Sequence, residues 1–154
     1  MRYSRGFTLV ELMVTLAILA ILLAIAAPSF RDLIQSNRAQ TISNDLITAL
    51  QFARSEAVKR GVKVDICRRN GDVCANATSW GNGWLVKVNG GDVLRVWEAI
   101  GGQDTIIGPN ETLTYRPNGL LTTSAAKVEF EVTSAQCITL TATGRVTSAK
   151  GTCP

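Results

Sequence analysis

Gly6-Phe7-Thr8-Leu9-Val10-Glu11, continued by the apolar run Leu12 to Ala27, decides how the rest of the chain is read. As a helix, Phe7 to Ala27 is about 30 Å long at roughly 1.5 Å per residue, the thickness of a bilayer's hydrocarbon core. Glu11 is the one charge inside that stretch. A carboxylate at such depth costs roughly 3 kcal/mol on insertion scales and ordinarily has a partner. Cutting the chain after Gly6 creates one, because the new α-amino group on Phe7 sits four residues before Glu11 on the same helix face. Arg2 and Arg5 precede the apolar run, which puts the N-terminus in the cytoplasm and the remainder of the chain outside. A competing reading is an ordinary secretory signal, with Ala24-Ile25-Ala26 as its A-x-A site and a soluble product beginning at Ala27. Glu11 inside the apolar run argues against it, as does the helical pattern that continues beyond Pro28.

With Arg2 and Arg5 before it, Gly6-Phe7-Thr8-Leu9-Val10-Glu11-Leu12 resembles a type IV prepilin leader. The resemblance implies cleavage after Gly6 by an inner-membrane prepilin peptidase and N-methylation of Phe7. It also implies that the uncleaved apolar helix enters the core of a pilus or pseudopilus. There Glu11 would neutralise a Phe7 amine of its own subunit or of a neighbour, favouring the correct axial stagger. Pro28 resembles the pilin proline near which the filament helix loosens. On its chemistry alone it removes a backbone donor and kinks the helix where the apolar run ends.

Composition narrows the function classes. The 154 residues include 16 Lys and Arg against 12 Asp and Glu, a net charge of +4. Loss of Arg2 and Arg5 with the leader would leave +2, far from the balance of a dedicated nucleic-acid binder. Histidine is absent, which removes the usual general base and the commonest metal ligand. No G-x-S-x-G motif, phosphate loop or distinctive carboxylate pair stands out, so no catalytic residue, cofactor or enzymatic activity is expected.

Beyond Pro28 the pattern is amphipathic. Ile34, Ile42, Leu46, Leu50, Ala53 and Ala57 recur at helical spacing, with Ala49 and Phe52 filling the stripe. Arg38, Gln40, Asn44, Asp45, Gln51, Arg54 and Glu56 fall mostly off it. Gly61 reads as the C-terminal stop, after Lys59 and Arg60 in the last turn. The expected organisation is therefore a leader at 1–6, a membrane or filament half-helix at 7–27, an amphipathic half-helix at 28–60, and a β-domain at 61–154 that packs on it.

Alternation then takes over. Strands are expected at Val62 to Cys67, Trp84 to Val88, Val93 to Trp97, Thr112 to Arg116, Lys127 to Val132, Cys137 to Thr141, and near Val146. Gly71-Asp72 marks a turn. Asn89-Gly90-Gly91-Asp92 is a hairpin signal, and Pro117-Asn118-Gly119 ends a strand. With no second helix pattern, crossover helices and a parallel sheet are not expected. The fold class is α+β, a long N-terminal helix packed on an antiparallel β-sheet domain.

Four later stretches narrow the resemblance: Ala53-Arg54-Ser55-Glu56-Ala57-Val58, Trp80-Gly81-Asn82-Gly83-Trp84, Tyr115-Arg116-Pro117-Asn118-Gly119, and Gly144-Arg145-Val146 with a cysteine near the C-terminus. Together they resemble the GspH/FimT family of minor pilins and type II secretion pseudopilins, over nearly the whole chain. The resemblance implies a minor subunit that adds to, and helps initiate or cap, a type IV pilus. Its partners would be other minor pilins and the major pilin, or pseudopilins in a secretion system. It would sit in the bacterial inner membrane, with its C-terminal domain in the periplasm, before assembly.

Four cysteines beyond a membrane segment point to an oxidising compartment and two disulfides. Of the three possible pairings, Cys67–Cys74 with Cys137–Cys153 is favoured, because the first two flank a turn and the last two bracket the final hairpin. A zinc site is the alternative, but no C-x-x-C and no His supports it. Trp80, Trp84 and Trp97 are expected in the core of the sheet, with an interaction surface as the alternative. Lys59, Arg60, Lys63, Arg68, Arg69, Arg145 and Lys150 form the basic set. Family members of the FimT kind imply DNA contact through basic residues in a Gly-Arg-x-Arg motif; here the candidate contacts are Arg145 in the motif position and Lys150 beyond it. The sequence here, Gly144-Arg145-Val146-Thr147, lacks the second arginine, and phosphate affinity is a sum over cations.

Overall fold

A computed structural model describes residues 6–123, 125–133 and 135–153, with the backbone alone for residues 26–29. Arg2 and Arg5 of the expected leader and the side chain of Pro28 therefore lie outside the described residues. The first element is a single helix, α1 (Leu9–Arg60). Thr8 caps its start, its Oγ1 accepting the Glu11 backbone N–H at 3.2 Å. Gly61 ends it at φ +67°, where only glycine is relaxed, and donates its N–H to Ala57 O at 3.1 Å. Between these caps the helix is continuous, from Leu9 to Arg60.

Two compact units divide the chain, residues 1–37 and 38–154. In the first, every side chain described from Gly6 to Asn37 is exposed. In the second, Ala39, Ile42, Leu46, Ala49, Leu50, Ala53 and Ala57 make a buried stripe. Two residues depart from the expected stripe. Ile34 is exposed, because it belongs to the first unit and the packed part of the helix begins only with Arg38. Glu56 is buried, its carboxylate held by Arg60 one turn on and by Lys59 at 3.9 Å.

The rest of the second unit is two antiparallel sheets. The first contains β1 (Val64–Asn70), β2 (Val73–Ala75), β3 (Trp84–Val88), β4 (Val93–Trp97) and β6 (Leu113–Tyr115). Its order is β2-β1-β3-β4, with β6 also paired to β1. The second contains β5 (Ile106–Ile107), β7 (Lys127–Val132), β8 (Gln136–Thr141) and β9 (Val146–Lys150), in the order β5-β7-β8-β9. Every strand pair is antiparallel. The expected strands are present with shifted ends. β1 starts two residues later than expected and runs on to Asn70, because its far end pairs with β2 across the Gly71-Asp72 turn.

Both sheets pack one face into a common core with the helix stripe. Val64, Ile66, Trp84, Val86, Leu113 and Tyr115 come from the first sheet; Val128, Phe130, Val132, Ile138 and Leu140 come from the second. Burying each large aliphatic or aromatic chain contributes about 1.5–3 kcal/mol. Trp80 and Trp84 are fully buried, as expected of core tryptophans. The Trp80 ring meets Phe130 edge-on, centroids 5.0 Å apart, and its Nε1–H donates to Pro109 O at 3.1 Å. Gly108 is required beside this pair, since a Cβ there would lie 2.5 Å from Phe130. Trp97 is only half-buried and lies 4.6 Å beneath the Arg95 guanidinium.

The cysteines form two bridges. Cys67–Cys74 joins β1 to β2, Cα atoms 5.4 Å apart, and Cys137–Cys153 ties the segment after β9 back to β8, Cα atoms 5.1 Å apart. Both distances lie in the range the bond requires.

Candidate functional site

Two groups of expected site residues lie in the two units. The first is the helix start. From Leu9 to Ile25 the exposed side chains are apolar apart from Glu11 and Thr15, and α1 is long and apolar enough to cross a membrane. Thr15, a polar group in this run, donates its hydroxyl to Leu12 O at 2.8 Å and so remains paired without water. Thr8 and Glu11 stand in the T-x-x-E spacing of a helix start, a second reason for a carboxylate here beyond charge pairing. Among the described residues, the Glu11 carboxylate itself has no hydrogen-bond or ion-pair partner. Phe7 is exposed just ahead of it.

The second group is built around Arg54, and it explains three of the motif stretches together. Arg54 lies on the packed half of α1. Its Nη1 donates to Gly144 O and its Nη2 to Thr143 O, each at 3.1 Å. Gly119 and Gly144 close neighbouring turns at φ +77° and +78°, donating their N–H groups to Arg116 O and Thr141 O. A Cβ on Gly144 would sit 2.6 Å from Gly119 O and 3.0 Å from Arg54 Nε. Thus the stretches at 53–58, 115–119 and 144–146, some 90 residues apart at their extremes, meet at one guanidinium. Tyr115 lies beneath this cluster. Burial raises its phenol above the usual tyrosine range, and the nearby Arg54 charge works the other way with smaller effect. Its hydroxyl is buried and has no protein partner.

Beside Arg54 a groove of about 560 Å³ opens between α1 and the β8–β9 turn. Val58 and Val146 supply apolar wall, and Lys59 and Arg145 supply charge.

The basic set is not one free patch. Lys59 and Arg60 share Glu56, and Arg69 pairs with Glu98. Arg145 and Lys150 are exposed. Three charged or polar arrangements gave no local sequence signal. Asp65 is buried in β1 and accepts hydrogen bonds from Thr114 Oγ1 at 2.7 Å and Asn89 Nδ2 at 2.9 Å, linking β1, β6 and the β3–β4 turn. Arg38 reaches Asp104 at 3.0 Å and Gly101 O at 2.8 Å. The oxygens of Glu129 lie near the sulfurs of Cys137 and Cys153, but those sulfurs are bonded to each other and offer no thiolate to a metal.

One long N-terminal helix, apolar in its first half and packed on antiparallel sheets in its second, together with the Gly6-Phe7…Glu11 motif, defines a type IV pilin-like protein. Residues 43–145 match the family model described as type II transport protein GspH, and residues 1–27 match the prokaryotic N-terminal methylation motif. The first match takes in more than half of the chain, and the chain belongs to the GspH family.

Two crystal structures of the Pseudomonas aeruginosa type IV minor pilin FimU share the fold. One has a TM-score of 0.57 at 22% identity, covering 71% of this chain and 91% of FimU. The other has a TM-score of 0.60 at 22% identity, covering 72% and 87%. The type IV major alpha-pilin of Moraxella bovis is 44% identical over 46 residues, 30% of this chain and 29% of that protein. A fimbrial protein of Moraxella nonliquefaciens is 42% identical over 57 residues, 35% and 37% of the two lengths. The chain thus spans about a third of the length of these curated relatives.

Proposed function

We propose that this chain is a minor pilin that inserts into a type IV pilus and helps to initiate or cap it. The observation that carries the reading is the apolar start of α1, whose described side chains are all exposed. Such a surface is stable only in lipid or against other apolar helices. The match of residues 1–27 to the N-terminal methylation motif supports the following order of events. The chain waits in the inner membrane as a single span, with residues 61–154 in the periplasm. A prepilin peptidase cuts after Gly6 and Phe7 is N-methylated. Residues 7–27 then move from lipid into a filament core, with residues 28–60 carrying the domain. Pro28 marks the change between the two parts of the helix. In that core an unpaired carboxylate is costly, so Glu11 selects the stagger at which it meets a Phe7 amine. The major pilin and other minor pilins are the partners.

The test is Glu11→Ala in the full chain. The expected product begins at N-methylated Phe7, as in the parent, and its amount in sheared filaments falls several-fold. Normal incorporation of this variant, or a mature chain beginning at Ala27, overturns the reading.

A second reading is a minor pseudopilin of type II secretion, favoured by the description of the matching family. It keeps the same helix chemistry and changes the machine; pull-down of secretion components in place of pilus subunits would select it. DNA binding through Arg145 and Lys150 is supported less. The motif carries one arginine, and Lys59, Arg60 and Arg69 already face carboxylates.

A further inference from the structure

The groove beside Arg54 is unbalanced in charge. Among the described residues, no carboxylate pairs with Arg54 or with Arg145; the only acceptors that Arg54 meets are the Thr143 and Gly144 carbonyls. A guanidinium is never neutral in a protein, and a half-buried one bonded only to carbonyls retains an unbalanced charge. Next to it the wall is apolar. Val58 is 54% exposed on the helix, and Val146 is half-buried at the start of β9. β9 is itself an edge. It pairs with β8 and with no other described strand, and Thr147, Ser148, Ala149 and Lys150 are all exposed. The usual protections of an edge strand are a proline, a bulge or an inward charge. A charged side chain on the edge, lysine above all, is another; β9 carries only Lys150, at its far end, and its register with β8 shows no bulge, so the edge from Val146 to Ala149 is unprotected.

We propose that the open edge of β9 and the adjoining groove dock an extended, acidic segment of another protein. Backbone N–H and C=O groups of β9 would pair with that segment as with an added strand. An apolar side chain would lie against Val58 and Val146, and a neighbouring Asp or Glu would meet Arg145 and the outer face of Arg54. Duplex DNA fits less well. It would bring phosphates to an apolar wall, leave the strand edge unpaired, and find few cations that are not already neutralised. The chemistry of this surface stands independently; the filament reading enters only in locating the partner among envelope proteins.

The test replaces Val58 with photoreactive benzoylphenylalanine in the full chain, irradiated in intact cells. The expected adduct is a protein segment in which an Asp or Glu adjoins an apolar residue. Arg145→Glu should cut its yield by about tenfold or more, the loss typical of reversing one partner of a close charge pair, and Arg145→Lys should largely keep it. Arg145 is exposed, so both variants should fold, with unchanged far-UV dichroism as the check. An adduct to nucleic acid, to lipid or to a basic segment overturns the proposal. So does no adduct, or a yield indifferent to Arg145→Glu. If the chain enters filaments without an adduct, this inference alone fails. If the adduct forms in cells whose filaments lack the chain, only the filament reading fails.

Discussion

The two halves of α1 belong to one continuous helix and are in opposite situations. From Leu9 to Asn37 every described side chain is exposed, whereas from Arg38 to Arg60 a stripe of seven alanine, leucine and isoleucine residues is buried under two sheets. Helix propensity does not separate them. What separates them is whether the chain supplies its own cover. The second half is amphipathic because its partner is built into the same polypeptide, so one face suffices. As far as Ala27 the first half is apolar all round apart from Glu11 and Thr15, the pattern of a helix whose surroundings are apolar on every side. Stability should therefore be spent in the second half and association in the first.

The comparison breaks most simply at paired leucines. Leu46 is fully buried and Leu19 is exposed. Leu46→Ala should cost about 2–5 kcal/mol through lost transfer energy and the cavity it leaves. Leu19→Ala should change the unfolding free energy of the same chain in detergent by no more than about 0.5 kcal/mol, as surface substitutions do. Denaturant unfolding followed by tryptophan fluorescence reads both, since all three tryptophans lie in the second unit. Equal effects at the two positions would mean that the halves are not energetically distinct.

The disulfides sharpen the same contrast, because both act on the cover and neither on the first half. Cys137–Cys153 spans 16 residues and Cys67–Cys74 spans 7. On the chain-entropy model these loops contribute about 3 and about 2.5 kcal/mol respectively. Replacing Cys137 and Cys153 by serine should lower the melting temperature more than replacing Cys67 and Cys74. The first pair also anchors the end of the chain beside Phe130, whose carbonyl is 3.5 Å from Cys153 Sγ. The reverse order would show that the C-terminal segment is held by something other than its bridge.

How much of this was written locally in the sequence follows from the range of each interaction. The helix, its glycine stop and the longer strands are set by period and by turn residues, and they were legible. β2 and β5, three and two residues long, are too short to show alternation and exist only because a longer strand lies alongside. Ile34 and Glu56 were misplaced for one reason: periodicity tells which face a residue is on, but not where the cover begins or which cations accompany a carboxylate. The Arg54 cluster was visible as three motif stretches but not as a site, since its contacts cross about 90 residues of chain. Asp65 left no mark at all, because its partners Asn89 and Thr114 sit on other strands and turns. At the helix start, Thr8 and Glu11 could have been read as a capping pair from their spacing alone.

The smallest expected effect at neutral pH belongs to Tyr115, at the boundary between the helix stripe and the Arg54 turns. Its hydroxyl is buried without a protein partner, so Tyr115→Phe removes no hydrogen bond within the protein and should stay within about 0.5 kcal/mol of the parent near pH 7. High pH separates the two chains. Burial raises the folded phenol above its ordinary value, so as pH climbs past about 10 the unfolded chain loses this proton while the folded chain keeps it. Stability is then lost with rising pH, by up to about 1.4 kcal/mol per unit from this group, until the folded phenol also ionises. The difference between parent and Tyr115→Phe isolates that contribution from the lysines, which titrate in both. The direct readout is phenolate absorbance: the sequence has two tyrosines, Tyr3 and Tyr115, so in a chain that begins at Phe7 the whole signal is Tyr115. No phenolate should appear in the folded protein at the pH where free tyrosine is half ionised. A normal titration there would mean that water reaches the hydroxyl and that the packing of the second half of α1 on β6 is looser than described.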